Sequence, residues 1–288
     1  MLDKPRILVA GASGYLGSHI VKYLLNTDYE LKALARSPDK LRALGLNEQQ
    51  IINAQVTQPS SLMGCCQHID VVISCIGITK QQDGLSYQEV DYQANLNLLN
   101  EAEQAGVKQF IYISAFNAPR YPQVRLLAAK ERFAQRLLTS NQLQPCVIRP
   151  NGFFSDLQEF YHMADKGRVY LFGDGEMQLN PIHGVDLAKF CVEAMASTQQ
   201  QIDIGGPQVL SVKQIAEQAF AAQGKQVNIC YIPDTVRRVA LWMIKHLPEK
   251  WVGPPEFFLT MMGDNAVAPA TGKRYLADYF QALTQHKR

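Results

Sequence analysis

The chain has 288 residues, 47% of them hydrophobic and 19% charged, with a formal net charge of +2. Those values describe a globule that buries enough apolar surface to offset chain entropy, and they exclude intrinsic disorder. The near-neutral balance, with Lys and Arg scattered, removes the field that would draw in nucleic acid, and no apolar run approaches the roughly 18 to 20 residues of a membrane span.

Met1-Leu2-Asp3-Lys4-Pro5 leads straight into an apolar run without a signal-peptide core, so a cytoplasmic location is expected. In the first half, segments 7–10, 30–35, 51–54, 71–76, 110–114 and 147–149 read as strands separated by helical patterns. Runs rich in β-branched residues and poor in charge suit a parallel sheet covered on both faces, and right-handed crossovers make it doubly wound. The expected fold is α/β, a Rossmann sheet with helices on both faces. After Pro150 the pattern loosens into a helix over 155–165, a strand and turn over 168–176, and further pieces to the C-terminus. The expected organisation is a core over 1–150, with returning segments near 178–206, and a smaller, partly discontinuous substrate-binding part over 151–288.

Gly11-Ala12-Ser13-Gly14-Tyr15-Leu16-Gly17 follows the first strand and opens a helix. In such a turn the first glycine permits the sharp bend, the second lets backbone amides approach a pyrophosphate, and the third lets helix and strand pack closely. The helix N-terminus then faces the anion. The tip of the second strand reads Ala35-Arg36-Ser37-Pro38-Asp39-Lys40 and lacks the carboxylate that would accept from an NAD ribose. Arg36 offers a donor fork to a 2′-phosphate, with Ser37 and Lys40 adding donors, so NADP(H) is expected over NAD(H). The six cysteines form no CxxC pair and have no spaced His partners, so no metal site is expected; adjacent Cys65 and Cys66 read as packed thiols or as a redox pair.

GxxGxxG spacing resembles the extended and atypical short-chain dehydrogenase/reductases. So do Val71-Val72-Ile73-Ser74-Cys75-Ile76-Gly77, Val90-Asp91-Tyr92 leading to Asn97-Leu98-Leu99, Ile111-Tyr112-Ile113-Ser114, Arg149-Pro150-Asn151-Gly152 and Pro181-Ile182-His183-Gly184-Val185-Asp186. The nearest likeness is to nitrogen-metabolite-repressor-like, isoflavone-reductase-like and divinyl-chlorophyllide-reductase-like groups, some of which reduce substrates while others only sense NADP(H). The resemblance implies further cofactor contacts at Val56, Cys75, Ile76, Gly77, Pro150, Asn151 and Phe153, with Phe154 beside them. It puts Gln55 where the family has an Asp that reads the adenine amino group, and its amide oxygen can accept the same bond.

Active members carry YxxxK, in which a Tyr donates a proton and the Lys holds the nicotinamide ribose. Here the segment is Leu126-Leu127-Ala128-Ala129-Lys130, so the Lys is matched and the Tyr is missing. Lys130 is expected to bind the ribose and to serve as a proton donor. Ser114 matches the family's catalytic Ser, and Tyr121, in the loop before Lys130, replaces the phenol if that loop folds inward. His183 and Asp186 read chiefly as local caps.

Two functions remain open: an NADPH-dependent reductase of a small apolar or aromatic acceptor such as a quinone or conjugated carbonyl, and a non-catalytic NADP(H)-binding regulator or assembly protein. An epimerase or dehydratase is disfavoured, because such relatives keep the Tyr. Residues 236–247 form a basic amphipathic helix that either packs over a substrate cleft or docks on a membrane or protein surface.

Overall fold

Strands poor in charge need cover on both faces, and strands alternate with helices through the first half of the chain. The computed structural model describes residues 4–78 and 84–287. It runs β1 (Arg6–Ala10), α1 (Tyr15–Leu24), β2 (Glu30–Ala35), α2 (Pro38–Ala43), β3 (Ile51–Asn53), α3 (Pro59–Leu62) and β4 (Val71–Ser74). A π-helical turn (Gln88–Ala94) then feeds α4 (Asn95–Ala105), followed by β5 (Gln109–Ile113), α5 (Arg125–Leu138) and β6 (Gln144–Pro150). Next come α6 (Gln158–Asp165), β7 (Val169–Phe172), β8 (Gln178–Leu179), α7 (Gly184–Glu193), β9 (Gln201–Ile204), β10 (Leu210–Ser211), α8 (Val212–Ala222) and β11 (Ile229–Ile232). Three helices close the chain: α9 (Asp234–Ile244), α10 (Glu249–Met261) and α11 (Leu276–Lys287).

Seven strands form one sheet in the order β3-β2-β1-β4-β5-β6-β9. The ladders from β3 to β6 are parallel. Beside β6, the Val147 and Asn151 amides donate to Gln200 and Ile204 carbonyls, so β9 runs in the same direction. The chain reverses its winding between β1 and β4, which makes their carboxyl ends the switch point where open α/β sheets bind ligands. The ladder of β4 stops at Ser74 rather than continuing to Ile76, so Cys75 and Ile76 lie beyond the sheet in a loop.

Two compact units emerge, one of Met1–Arg149 with Leu187–Ile202 and one of Pro150–Asp186 with Asp203–Arg288. In the first, Phe110, Tyr112, Phe133, Leu98 and Val147 build a core in which free Cys65 and Cys66 are buried with their sulfurs 3.7 Å apart. In the second, Phe154, Phe160, Ile215, Phe220 and Phe280 pack together, flanked by the parallel pair β7–β11 and the antiparallel pair β8–β10. Phe154 is therefore a core residue and does not line a cleft. The apolar row of α9 also departs from a packed helix: Val236, Val239, Trp242 and Met243 are exposed, while Arg237 and Ile244 are buried. Among the described residues no helix is long and apolar enough to cross a membrane.

Candidate functional site

The turn after β1 is built to the tolerance of single atoms. Gly11 sits at a φ of +73°, a left-handed conformation that favours glycine, and a Cβ there would lie 2.9 Å from the carbonyl of Cys75. Gly14 caps α1 in extended geometry. A Cβ on Gly17 would lie 2.2 Å from the Gly11 carbonyl oxygen, so the first turn of α1 rests directly on the loop. Gly17→Ala must displace backbone, and we expect it to cost about 1–3 kcal/mol of stability, read as a fall in the urea midpoint.

These residues open onto a cleft of about 200 Å³ at the carboxyl edge of the sheet, lined by Gly11, Ser13, Gly14, Arg36, Gln55, Val56, Cys75, Ile76 and Gly77, with Leu34, Ala54, Leu85 and Val90 as apolar walls. Gln55 Oε1 is buried there without a hydrogen-bond partner among the described residues, an acceptor that fits an incoming donor such as an adenine amino group. Arg36 is exposed at the tip of β2, with exposed Ser37 at the N-cap of α2 and exposed Lys40 in its first turn. The bare glycine cradle, the orphaned amide oxygen and the exposed cation together fit a dinucleotide carrying an extra phosphate. Leu16 is buried in the core and can contribute only backbone, and Tyr15 is half-buried with its ring edge-on to His19.

Against Gly77, which lines the cleft, stands a buried ion pair. Lys130 Nζ on α5 lies 2.9 Å from Asp91 Oδ1 on the π-helical turn, and the Asp91 side chain is wholly enclosed. Asp91 Oδ2 accepts the Ile78 amide, and a Cβ on Gly77 would fall 2.7 Å from both Asp91 Oδ1 and Lys130 Nζ. Glycine at 77 thus lets the loop after β4 lie against the pair. Burial works against the Lys130 charge, yet the Asp91 carboxylate and the neighbouring Tyr112 outweigh it and raise the lysine above its ordinary value. The ammonium sits 5.8 Å from the Tyr112 ring centroid. Burial, partly countered by Lys130, pushes the Cys75 thiol up to about 12, so it stays protonated.

Ser114 lies just past β5 at the same edge, its amide bonded to the Ile148 carbonyl and its Oγ buried without a partner. Tyr121 is half-buried on the turn before α5, and its carbonyl accepts the Val124 amide. Pro150, Asn151 and Phe153 belong to the second unit. There the Asn151 amide nitrogen donates to Asn180 Oδ1 and to the Ala266 carbonyl, while its Oδ1 accepts the Gly152 amide. The Asn151 side chain therefore ties together Asn180, the Ala266 carbonyl and the Gly152 amide; Pro150 is buried and Phe153 half-buried. His183 Nδ1 accepts the Val185 amide, and Asp186 accepts the Lys273 and Arg274 amides and pairs with the Arg274 side chain, so both are structural.

Sequence reasoning gave no site role to Asp91, Asn95 or Asn97. Asn95 accepts from Ser74 Oγ at 2.6 Å and donates to the Ile76 and Asp91 carbonyls, and Asn97 donates to the Val56 carbonyl, so both tie cleft-lining loops to α4. Two asparagines entering a helix against their propensity were the available signal. The wide π-helical turn before them, a feature frequent at functional sites, has no marker in the local sequence.

An NAD(P)H-binding protein family matches residues 11–198. The chain is 27% identical over 267 residues to divinyl chlorophyllide a 8-vinyl-reductase of Zea mays, covering 86% of this chain and 66% of that protein. It is 26% identical to the photosystem II assembly factor Ycf39 of Synechocystis, covering 81% of this chain and 72% of that one. It thus spans about two thirds of the length of these relatives. The Escherichia coli NADPH-dependent quinone oxidoreductase QOR2, solved with NADPH, superposes with a TM-score of 0.71 at 19% identity over 96% of this chain and 99% of that one, which shows the shared fold. Its glycine turn, its switch-point cleft and this match over residues 11–198 make the chain a member of the NAD(P)H-binding family, with a Rossmann fold of the short-chain dehydrogenase/reductase-like kind.

Proposed function

We propose that this chain is an NADPH-dependent reductase of a small apolar or aromatic acceptor, a quinone or a conjugated carbonyl. The observation that carries it is one cleft lined by both Arg36 and Gly77, with a lysine held charged by a buried carboxylate directly against Gly77. Gly11, Ser13 and Gly14 bring the amides opening α1 to the pyrophosphate. Arg36, Ser37 and Lys40 bind the 2′-phosphate, Gln55 Oε1 accepts from the adenine, and Val56, Cys75, Ile76 and Gly77 form the wall behind it. Bound NADPH supplies the hydride.

Lys130 orients the nicotinamide ribose and places positive charge where the acceptor oxygen becomes negative. Its raised pKa makes it a poor proton donor at neutral pH, so the role left to it is electrostatic. Ser114 Oγ, buried and unpartnered, donates a hydrogen bond to the same oxygen. An acceptor whose quinol or enolate is already stabilised has little need of the missing phenol, and Tyr121 or solvent supplies the final proton.

Titration of NADPH fluorescence tests the binding half: Arg36→Ala is expected to raise the NADPH Kd about 10- to 100-fold and leave NADH unchanged. NADPH oxidation across a panel of quinones and conjugated carbonyls tests the chemistry. Tight binding without turnover on any acceptor would favour a second reading, a non-catalytic NADP(H) sensor or assembly protein. Leu126 supports that reading, because the position of the catalytic phenol is filled by a buried aliphatic side chain.

A further inference from the structure

Helix α9 wears its apolar stripe on the outside. Val236, Val239 and Met243 face solvent, Leu247 just past the helix end is exposed with them, and Trp242 and Trp251 are each 66% exposed. The helix is instead anchored through Arg237, which is buried, pairs with Asp234 and donates to the Leu259 carbonyl, and through buried Ile244. Apolar residues scattered singly need no explanation, but a row of exposed apolar side chains along one helix with Trp242 beside it marks a contact surface.

Charge identifies what covers it. From Thr235 to Pro248 the sequence holds Arg237, Arg238, Lys245 and His246 and no Asp or Glu. Arg238, Lys245 and His246 are exposed, and His246 stacks edge-on against Trp242. At 3.6 residues per turn, Arg238 and Lys245 lie within about 20° of each other around the axis, on one flank of the apolar row and next to Trp242. An apolar row edged by cations and bordered by Trp suits insertion at the headgroup level of an anionic bilayer, with the long basic side chains reaching phosphate.

We propose that this face docks the protein on an anionic phospholipid surface. Trp242 and Trp251 are the chain's two tryptophans and both are exposed, so intrinsic fluorescence reports on α9 and the start of α10 with no buried indole in the background. The full chain should float with phosphatidylcholine vesicles containing phosphatidylglycerol and not with phosphatidylcholine alone. Its emission should shift to the blue on binding, and high salt should release it. The pair Val239→Gln and Trp242→Gln, and separately Arg238→Gln with Lys245→Gln, should each lower the bound fraction at least about tenfold while NADPH titration stays as in the wild type, which verifies the fold. Protein that stays out of the float on both vesicle types, or floats equally on both, overturns the proposal. So does a light-scattering mass that doubles with concentration and is abolished by the apolar pair, which would make the face a dimer contact.

Discussion

Replacing Lys130 by methionine is expected to lower kcat for a quinone acceptor about 100- to 1000-fold, the usual cost of removing one preorganised electrostatic partner, while the NADPH Kd moves far less. Alone, the substitution also strands Asp91, whose side chain is wholly enclosed, and an uncompensated buried charge costs about 3–5 kcal/mol. The double variant Asp91→Asn with Lys130→Met separates the two effects. Its urea midpoint should return most of the way to wild type, because neither charge is left buried, while kcat stays low. Rapid-mixing kinetics with NADPH prebound reads the first quantity, and denaturant titration the second. A double variant that reduced the acceptor at the wild-type rate would remove Lys130 from the reaction.

The same pair predicts a flat pH profile. Lys130 is raised above its ordinary value of 10.5 by Asp91 and Tyr112 acting against burial. A cation whose folded-state pKa exceeds its unfolded one contributes stability that is fully present below the unfolded value and lost as pH rises through the folded one. Its contribution is therefore constant through neutrality and declines only above about pH 10.5, and kcat should show no limb from this group between about pH 6 and 9. A limb in that range that vanished in Lys130→Met would mean that the lysine titrates there and that Asp91 does not hold it charged.

How much of this was legible in the chain depends on how local each feature is. Strand β2 covers the span its apolar pattern indicates, Glu30–Ala35, and α1 opens at Tyr15, because glycine spacing and β-branched runs are local signals. Where pairing stops is not local: nothing in Val71-Val72-Ile73-Ser74-Cys75-Ile76 says that the neighbouring strands let go after Ser74, yet that release turns Cys75 and Ile76 toward the cleft. Asp91 stands in a family segment, but its partner Lys130 is brought beside it only by the fold. In α9 the stripe was plain in the sequence, but its direction was not, since a stripe shows that one face differs without saying which face meets the core. Asn151 adds a detail that resemblance does not carry, since its side chain bonds Asn180 and the Ala266 carbonyl.

The position of Lys130 rests in turn on its neighbour. Glu131 receives Arg149 of β6 at 3.1 Å through both carboxylate oxygens, and Arg149 also donates to Gln201 at 3.0 Å. The Arg149 and Glu131 side chains are only 5% and 15% exposed, so this contact, in which Arg149 Nη2 is shared between both Glu131 oxygens, holds α5 to the sheet in a poorly screened place. Arg149→Met should therefore cost about 3 kcal/mol, most of it from leaving the largely enclosed Glu131 without its cation, with only Gln135 among the described residues donating to it, rather than from the intrinsic worth of the pair. Adding Glu131→Leu should recover the greater part of that loss, since replacing both charges of a buried pair by apolar groups is often neutral. The activity readout discriminates further. If the clamp serves only stability, the recovered double variant keeps its kcat; if it also sets the register of α5, Lys130 shifts relative to Asp91 and kcat stays depressed at full stability, as expected where misplacement of about 1 Å costs on the order of 100-fold.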